Sequence, residues 1–259
     1  METFLLFFVV GALAQSVDGA LGMAYGVISS SVLLALGVPP AMASASVHGA
    51  EVFTTAASAG SHMWHRNVDW RLLTPLALAG VIGGVLGAYV LTGIEGDIIK
   101  PFIVAYLAAM GVYILFKAGR DITPRRIPSW TVAPVGAVGG FLDAVGGGGW
   151  GPTVSSTLIG AGQEPRRAIG TANTAEFFLT VAISATFVWA LMTGHWAEAG
   201  ALENHAAAIG GLVAGGLLAA PFAGLITKRV PRRILACAVG IVLLLLAGFH
   251  GLQLAGVVA

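Results

Sequence analysis

The sequence predicts an all-α polytopic membrane protein made of two inverted repeats, and three observations predict it. Of 259 residues, 57% are hydrophobic and only 10% are charged, against about 25% charged in soluble domains. Two long apolar windows are interrupted at similar clusters, Asp18-Gly-Ala-Leu-Gly-Met-Ala-Tyr-Gly26 and Asp143-Ala-Val-Gly-Gly-Gly-Gly-Trp-Gly151. A shift of 125 residues brings those clusters, and the chain that follows them, into register.

Repeat 1 covers residues 1–122. Its first window, 3–37, is too long for one spanning helix and too interrupted for two. Arms of roughly a dozen residues suit a re-entrant hairpin of half-helices. Phe4 to Leu13, with Ala12-Leu13-Ala14, resembles a signal-peptide core and cleavage site. Glu2 stands where a positive n-region is required, so the segment is expected to stay. Spans follow at 41–63, 71–92 and 98–118, each near the ~20 residues a bilayer core requires. Repeat 2 covers 130–259, with a hairpin at 130–162 and spans at 166–193, 203–227 and 231–250. The spans at 41–63 and 166–193 carry polar residues in their middle.

The shift sets Asp18 on Asp143, Gly22 on Gly147, Gly26 on Gly151, Pro40 on Pro165 and Ala50-Glu51 on Ala175-Glu176. Eleven of the 34 positions from Asp18 to Glu51 are identical, without a gap. Further on, Gly83-Gly84 matches Gly215-Gly216 at a shift of 132.

Charge decides the topology. If each interrupted window returns to the side it left, the loops near 66–71, 117–126, 166–167 and 228–233 share one face. That face then holds 12 of the 13 Lys and Arg, with only Lys100 opposite. If each window crossed, the same charges would divide 6 to 7. Positive charge gathers on the cytoplasmic side, so the hairpin reading wins. Three spans per unit then invert the second repeat, and both termini face the periplasm. Discontinuous helices meeting at the midplane are a transporter architecture.

Half-helices that start inside the membrane, near Tyr25–Val27 and Trp150–Pro152, leave backbone N–H groups unpaired and present a positive dipole end. Such ends bind anions without a charged side chain. Pro152 suits a first helical turn. The glycines Gly22, Gly26, Gly147, Gly148, Gly149 and Gly151 therefore mark candidate substrate positions, although glycine also simply permits close packing. Asp18 and Asp143, at or just before the breaks, either face a ligand or cap the half-helices by accepting N–H bonds. Glu51 and Glu176 each follow a proline by eleven residues, about 16 Å into the hydrocarbon. A carboxyl at that depth could carry protons, or could simply bond to a tip backbone. One turn earlier, His48 and Asn173 occupy equivalent places on the same face. Ser30, Ser31, Ser46, Ser155, Ser156 and Thr171 offer hydroxyl donors but are also ordinary packing residues.

Several patterns carry no chemistry. Gly146-x-Gly148-x-x-Gly151 matches a dinucleotide fingerprint without its preceding strand, and no Lys-Ser/Thr follows to make a P-loop. No cofactor is implied. His62 and His65 are too sparse for a metal site, and no basic stripe suggests nucleic acid. Cys237 excludes an internal disulfide.

Gly139-Gly-Phe-Leu-Asp-Ala-Val-Gly-Gly-Gly-Gly-Trp-Gly-Pro152, followed by Ala168-Ile-Gly-Thr-Ala172, resembles the second-repeat signature of the TauE/SafE family of sulfite exporters and anion permeases. The resemblance extends over most of the chain and implies a bacterial inner-membrane carrier exporting sulfite, sulfoacetate or a similar organosulfur anion. The first repeat departs from that pattern. It reads Gly22-Met-Ala-Tyr-Gly26 with Val27 in place of the proline, so Met23 and Tyr25 stand against the substrate where repeat 2 offers Trp150 and bare glycine. Alternatives remain open at this point: an intramembrane enzyme using Asp18 and Asp143, a channel, or a carrier of cations held by the four carboxylates.

Overall fold

Proline and glycine punctuate the chain where helices begin and end. The structure, a computed structural model, describes residues 1–118, 127–196, 206–220 and 232–258. Among these, every regular element is helical and there is no strand. In chain order they are α1 (Glu2–Leu21), α2 (Tyr25–Ala35), α3 (Pro40–Trp64), α4 (Trp70–Thr92) and α5 (Gly96–Ala118). A short 3₁₀ turn (Ser129–Thr131) then leads to α6 (Val132–Gly146). A wide π turn (Gly151–Ser155) runs into α7 (Ser156–Gly160). α8 (Pro165–Thr193), α9 (Ala206–Ala219) and α10 (Arg232–Leu254) complete the chain. Pro40 and Pro165 open α3 and α8 in the first turn, where a missing N–H costs no bond.

Four of these helices are long and apolar enough to cross a bilayer: α4, α5, α8 over Pro165–Met192, and α10 over Ala236–Leu254. Exposed apolar side chains such as Leu78, Ile82 and Leu86 on α4 and Phe102 and Val112 on α5 suit contact with lipid. α3 is as long but more polar, because it carries His48, Glu51 and several Ser and Thr inward. The expected span 203–227 is described only to residue 220, and Arg120, Arg125, Arg126, Lys228 and Arg229 lie outside the described residues.

The hairpin arms differ from the even dozen the sequence suggests. α1 has 20 residues, about 30 Å, because nothing between Glu2 and Gln15 interrupts it and its break falls at Gly22. α2 has 11. The second hairpin has 15 residues in α6, and its return arm runs from Gly151 to Gly160.

Both ends of the bundle bear on the topology. Lys117, at the end of α5, reaches Gly160 at the end of α7. Arg166 donates from Nε to Asn67 Oδ1 and from a terminal nitrogen to the His65 carbonyl, and Gln163 donates to Asp69. Residues 65–69, 117 and 160–167 therefore share one end, so the segment between α5 and α8 returns to the end it left. At the other end the start of α5, with Asp97 and Lys100, sits with Leu34 near the end of α2, Gly37 just after it and Gln253 of α10, around a crevice of about 460 Å³.

Glycine makes the broken helices pack closely on their neighbours. A side chain at Gly83 of α4 would strike the Ala137 carbonyl of α6, and one at Gly215 of α9 would strike the Phe8 carbonyl of α1. Gly83 and Gly215 are the two positions matched at a shift of 132. At the centre α3 packs on α8, and the hydroxyls of Thr55 and Thr180, 125 residues apart, meet at 3.3 Å.

Candidate functional site

Two helix breaks of like geometry meet at the centre of the bundle. Gly22 closes α1 at φ 67, ψ 32, its N–H donating to the Asp18 carbonyl. Gly147 closes α6 at φ 66, ψ 28, its N–H donating to the Asp143 carbonyl. Left-handed backbone of this kind is cheap only for glycine. The tips then touch reciprocally: Gly26 abuts Gly148, and Gly151 abuts Met23, so pairs equivalent at the 125 shift exchange places.

At the second tip Asp143 is buried, and its Oδ1 accepts the N–H groups of Gly149 at 2.6 Å and Trp150 at 2.7 Å. This is a helix cap that occupies the positive end of the half-helix with the protein's own carboxylate. Its Oδ2 lies 3.1 Å from His48 Nε2 on α3. At the first tip Asp18 is half-buried and accepts one N–H, from Tyr25, at 3.4 Å.

Beside the first tip lies a narrow polar cleft of about 10 Å³, room for about one water. Asp18, Tyr25, Glu51, Asn173 and Glu176 line it, together with Gln15, Thr54, Thr55 and Ser58. Three of these are carboxylates, and no Lys or Arg is among them. Two buried oxygens here, Glu51 Oε2 and Asn173 Oδ1, have no hydrogen-bond partner. An orphaned buried acceptor costs roughly 1–3 kcal/mol, so both oxygens are open to the donor groups of a ligand. Asn173 is held the right way round because its amide N–H₂ donates to Ser58 Oγ at 2.9 Å.

Ligand atoms of His48, Glu51 and Asp143 fall within 4.8 Å of one another, the grouping among the described residues that most resembles a metal site. The donor set argues against one. Asp143 is committed to two helix N–H groups and to His48, which leaves a metal one carboxylate rather than a shell of ligands.

The structure does not gather every residue the sequence singled out. Thr171 sits apart at the Lys- and Arg-rich end, its hydroxyl accepting the Asp69 N–H. It was expected to offer a donor to substrate and instead ties α8 to the loop before α4. Gly147, Gly148 and Gly149 are packed against Ser30, Gly26 and Tyr106 rather than open to a cleft. Trp150 is fully buried with Nε1–H donating to the Ala172 carbonyl, and Met23 is buried and accepts a bond from Ser156 Oγ. Gly22 lies against Ile169, Gly26 against Glu51 Oε1 and Gly148, and Gly151 against Met23. The sequence reading missed Gln15, Thr54, Thr55 and Ser58. Gln15 is one helical turn before Asp18, and Thr55 and Ser58 are one and two turns past Glu51, a spacing that was there to be extended.

The family described as sulfite exporter TauE/SafE matches residues 7–249. The chain belongs to the TauE/SafE family. It is similar to the probable membrane transporter protein YtnM of Bacillus subtilis (strain 168), with 40% identity over 247 residues, covering 93% of this chain and 80% of that protein. No solved structure matches. Membership of this TauE/SafE family, with its apolar spanning helices, makes the protein a multi-pass membrane transporter and not an enzyme.

Proposed function

We propose that the protein is a secondary carrier that exports a small sulfur-containing anion, such as sulfite or sulfoacetate, from the bacterial cytoplasm across the inner membrane. Two inverted repeats, 1–122 and 130–259, rock about a pseudo-twofold axis that passes near Thr55 and Thr180. The reciprocal tip contacts and the matched breaks at Gly22 and Gly147 support that symmetry. The Lys- and Arg-rich end faces the cytoplasm and both termini face the periplasm.

The matching family, described as sulfite exporter, supports the anion, and the polar cleft beside the first tip, with Asp18, Glu51 and Glu176 in its wall, supports a site for it. A bare anion is repelled by ionised carboxylates, so it enters this cleft only when protons are bound there. Proton coupling through Glu51 and Glu176 follows from that requirement. At the first tip the Tyr25 N–H, held by one 3.4 Å bond to Asp18, is the backbone donor offered to the anion. The same acidic lining favours a second reading, a carrier of small cations, on charge alone.

Flux of labelled sulfite and sulfoacetate into liposomes, with and without a pH gradient, tests both. Saturable flux driven by the gradient is expected, with a loss of at least about tenfold in driven flux on Glu51→Gln, since the tested carboxyl no longer exchanges a proton. Absence of anion flux from folded protein, with flux of a monovalent cation instead, overturns the anion assignment.

A further inference from the structure

His48 is held so that its proton inventory can be counted from its partners. Ser44 Oγ donates to the Ala144 carbonyl at 2.6 Å, which commits its single hydrogen. His48 Nδ1 then faces two oxygens that have no proton to give: the Ser44 carbonyl at 2.8 Å and the Ser44 hydroxyl oxygen at 3.2 Å. Nδ1 must therefore carry a hydrogen and donate it. A neutral imidazole has only that one, which leaves a bare lone pair on Nε2. Nε2 faces Asp143 Oδ2 at 3.1 Å, a carboxylate whose other oxygen already accepts two backbone N–H groups. Two lone pairs cannot sit at that distance without a hydrogen between them, so the contact requires one further proton, on the ring nitrogen or on the carboxyl.

We propose that the His48–Asp143 contact is the proton-binding site of this carrier, and that Glu51 passes the proton between it and the cleft. Glu51 is one turn from His48 on α3, 3% exposed, with Oε2 unpartnered and a ligand oxygen within 4.8 Å of both. That gap is bridged by one water or by a small side-chain swing. In the transfer the shared proton leaves the pair and joins a Glu51 oxygen. Imidazole and carboxylate remain behind, and Glu51 becomes a neutral acid. The emptied pair then repels. That loosens the link between α3 of the first repeat and the tip of the second, which is how a proton would bias one conformation over another.

The groups that face this cluster are Asp143 from α6, Glu51 from α3, Asp18 from α1, Glu176 from α8, Tyr25 from α2 and Tyr106 from α5. No described Lys or Arg is among them, so nothing else neutralises the pair. At His48's equivalent in the second repeat stands Asn173, whose amide binds no such proton. The symmetry-related position therefore forms no such pair, and the His48–Asp143 contact occurs once. The role in transport rests on the carrier reading above, whereas the bound proton does not.

Two measurements separate these parts. The chain has six histidines, and the full-length protein with the other five replaced by Gln keeps His48 as its sole imidazole. Its ¹⁵N spectrum in lipid nanodiscs, from about pH 5 to about pH 9, is expected to show Nδ1 protonated throughout and an Nε2 signal that titrates. Asp143→Asn is expected to abolish or displace that titration. A ring with Nδ1 unprotonated, or an Nε2 signal identical in wild type and Asp143→Asn, overturns the proposal whatever is transported. In liposomes, His48→Gln is expected to lose pH-gradient-driven flux of labelled sulfite by about tenfold per folded molecule. Gradient drive equal to wild type in His48→Gln would equally overturn it. If no sulfite moves in either protein, the anion reading fails and the spectra still decide the proton site.

Discussion

The two tips of this transporter share a backbone, but their carboxylates do different jobs. At the second tip Asp143 is 1% exposed, caps a half-helix with one oxygen and meets His48 with the other. At the first, Asp18 lies at the wall of the cleft with one long bond to Tyr25. The rest of each tip follows the same division. The second has a run of four glycines, Trp150 locked to the Ala172 carbonyl, and Pro152 with no N–H to offer. The first has Met23, Tyr25 and Val27, and Tyr25 reaches across to the Leu212 carbonyl with its hydroxyl. On the proposed carrier reading, the second tip is the rigid side and the first the ligand-facing side. Sequence identity alone does not say which copy is which.

Removing each carboxylate in turn is the strongest way to break this comparison. Asp143→Ala leaves His48 and two helix N–H groups without their buried partner, and breaking a buried pair of this kind costs about 3–5 kcal/mol. Asp18→Ala removes one long bond from a half-buried group and is expected to cost about 1 kcal/mol or less. Thermal unfolding of both variants in one detergent measures the difference. Equal losses would mean that the tips are structurally interchangeable.

A steric version comes next. Gly148 has φ 141 and sits on the backbone of Gly26 and Val27, so Gly148→Ala meets both strain and a rigid wall. Overpacking there is expected to cost about 2–3 kcal/mol. Gly26→Ala places its methyl 2.7 Å from Glu51 Oε1, the end of a side chain that can swing away, and 2.7 Å from Gly148 Cα. The loss of stability should be smaller, and the loss of flux larger, than for Gly148→Ala. Flux per folded molecule separates the two effects, and the reverse order would place the working tip in the second repeat.

Much of this was legible in the sequence because it rests on local rules. The breaks at Gly22 and Gly147 follow from glycine clusters inside apolar windows, and α3 and α8 start at Pro40 and Pro165 as the prolines indicate. Asp18, Tyr25, Glu51, Asn173 and Glu176 do share one cleft, as expected of polar residues that an apolar chain carries inward. What was not legible is long-range. No periodicity tells that His48 reaches Asp143, 95 residues away, or that Thr171 turns to the loop at Asp69. The glycine run was read as an opening because exposed backbone and close packing need the same residue, and only the neighbours Ser30, Gly26 and Tyr106 tell them apart.

The smallest effect is expected where the two repeats meet most symmetrically. Thr55 and Thr180 touch at 3.3 Å, which invites the idea that a hydrogen bond on the axis holds the halves together. The bookkeeping of hydrogens says otherwise. Thr55 donates to the Glu51 carbonyl and Thr180 to the Phe177 carbonyl at 3.1 Å, each the better acceptor for the one hydrogen a hydroxyl has. The mutual contact is therefore a close approach of two oxygens whose hydrogens point back along their own helices. A double-mutant cycle of Thr55→Val and Thr180→Val should return a coupling of no more than about 0.5 kcal/mol, near the noise of additivity. A coupling of about 1.5 kcal/mol or more would mean that one hydroxyl gives up its carbonyl to bridge the axis. On the proposed rocking of the repeats, the interface would then have to break a bond in every cycle, rather than slide over a contact that costs little to lose.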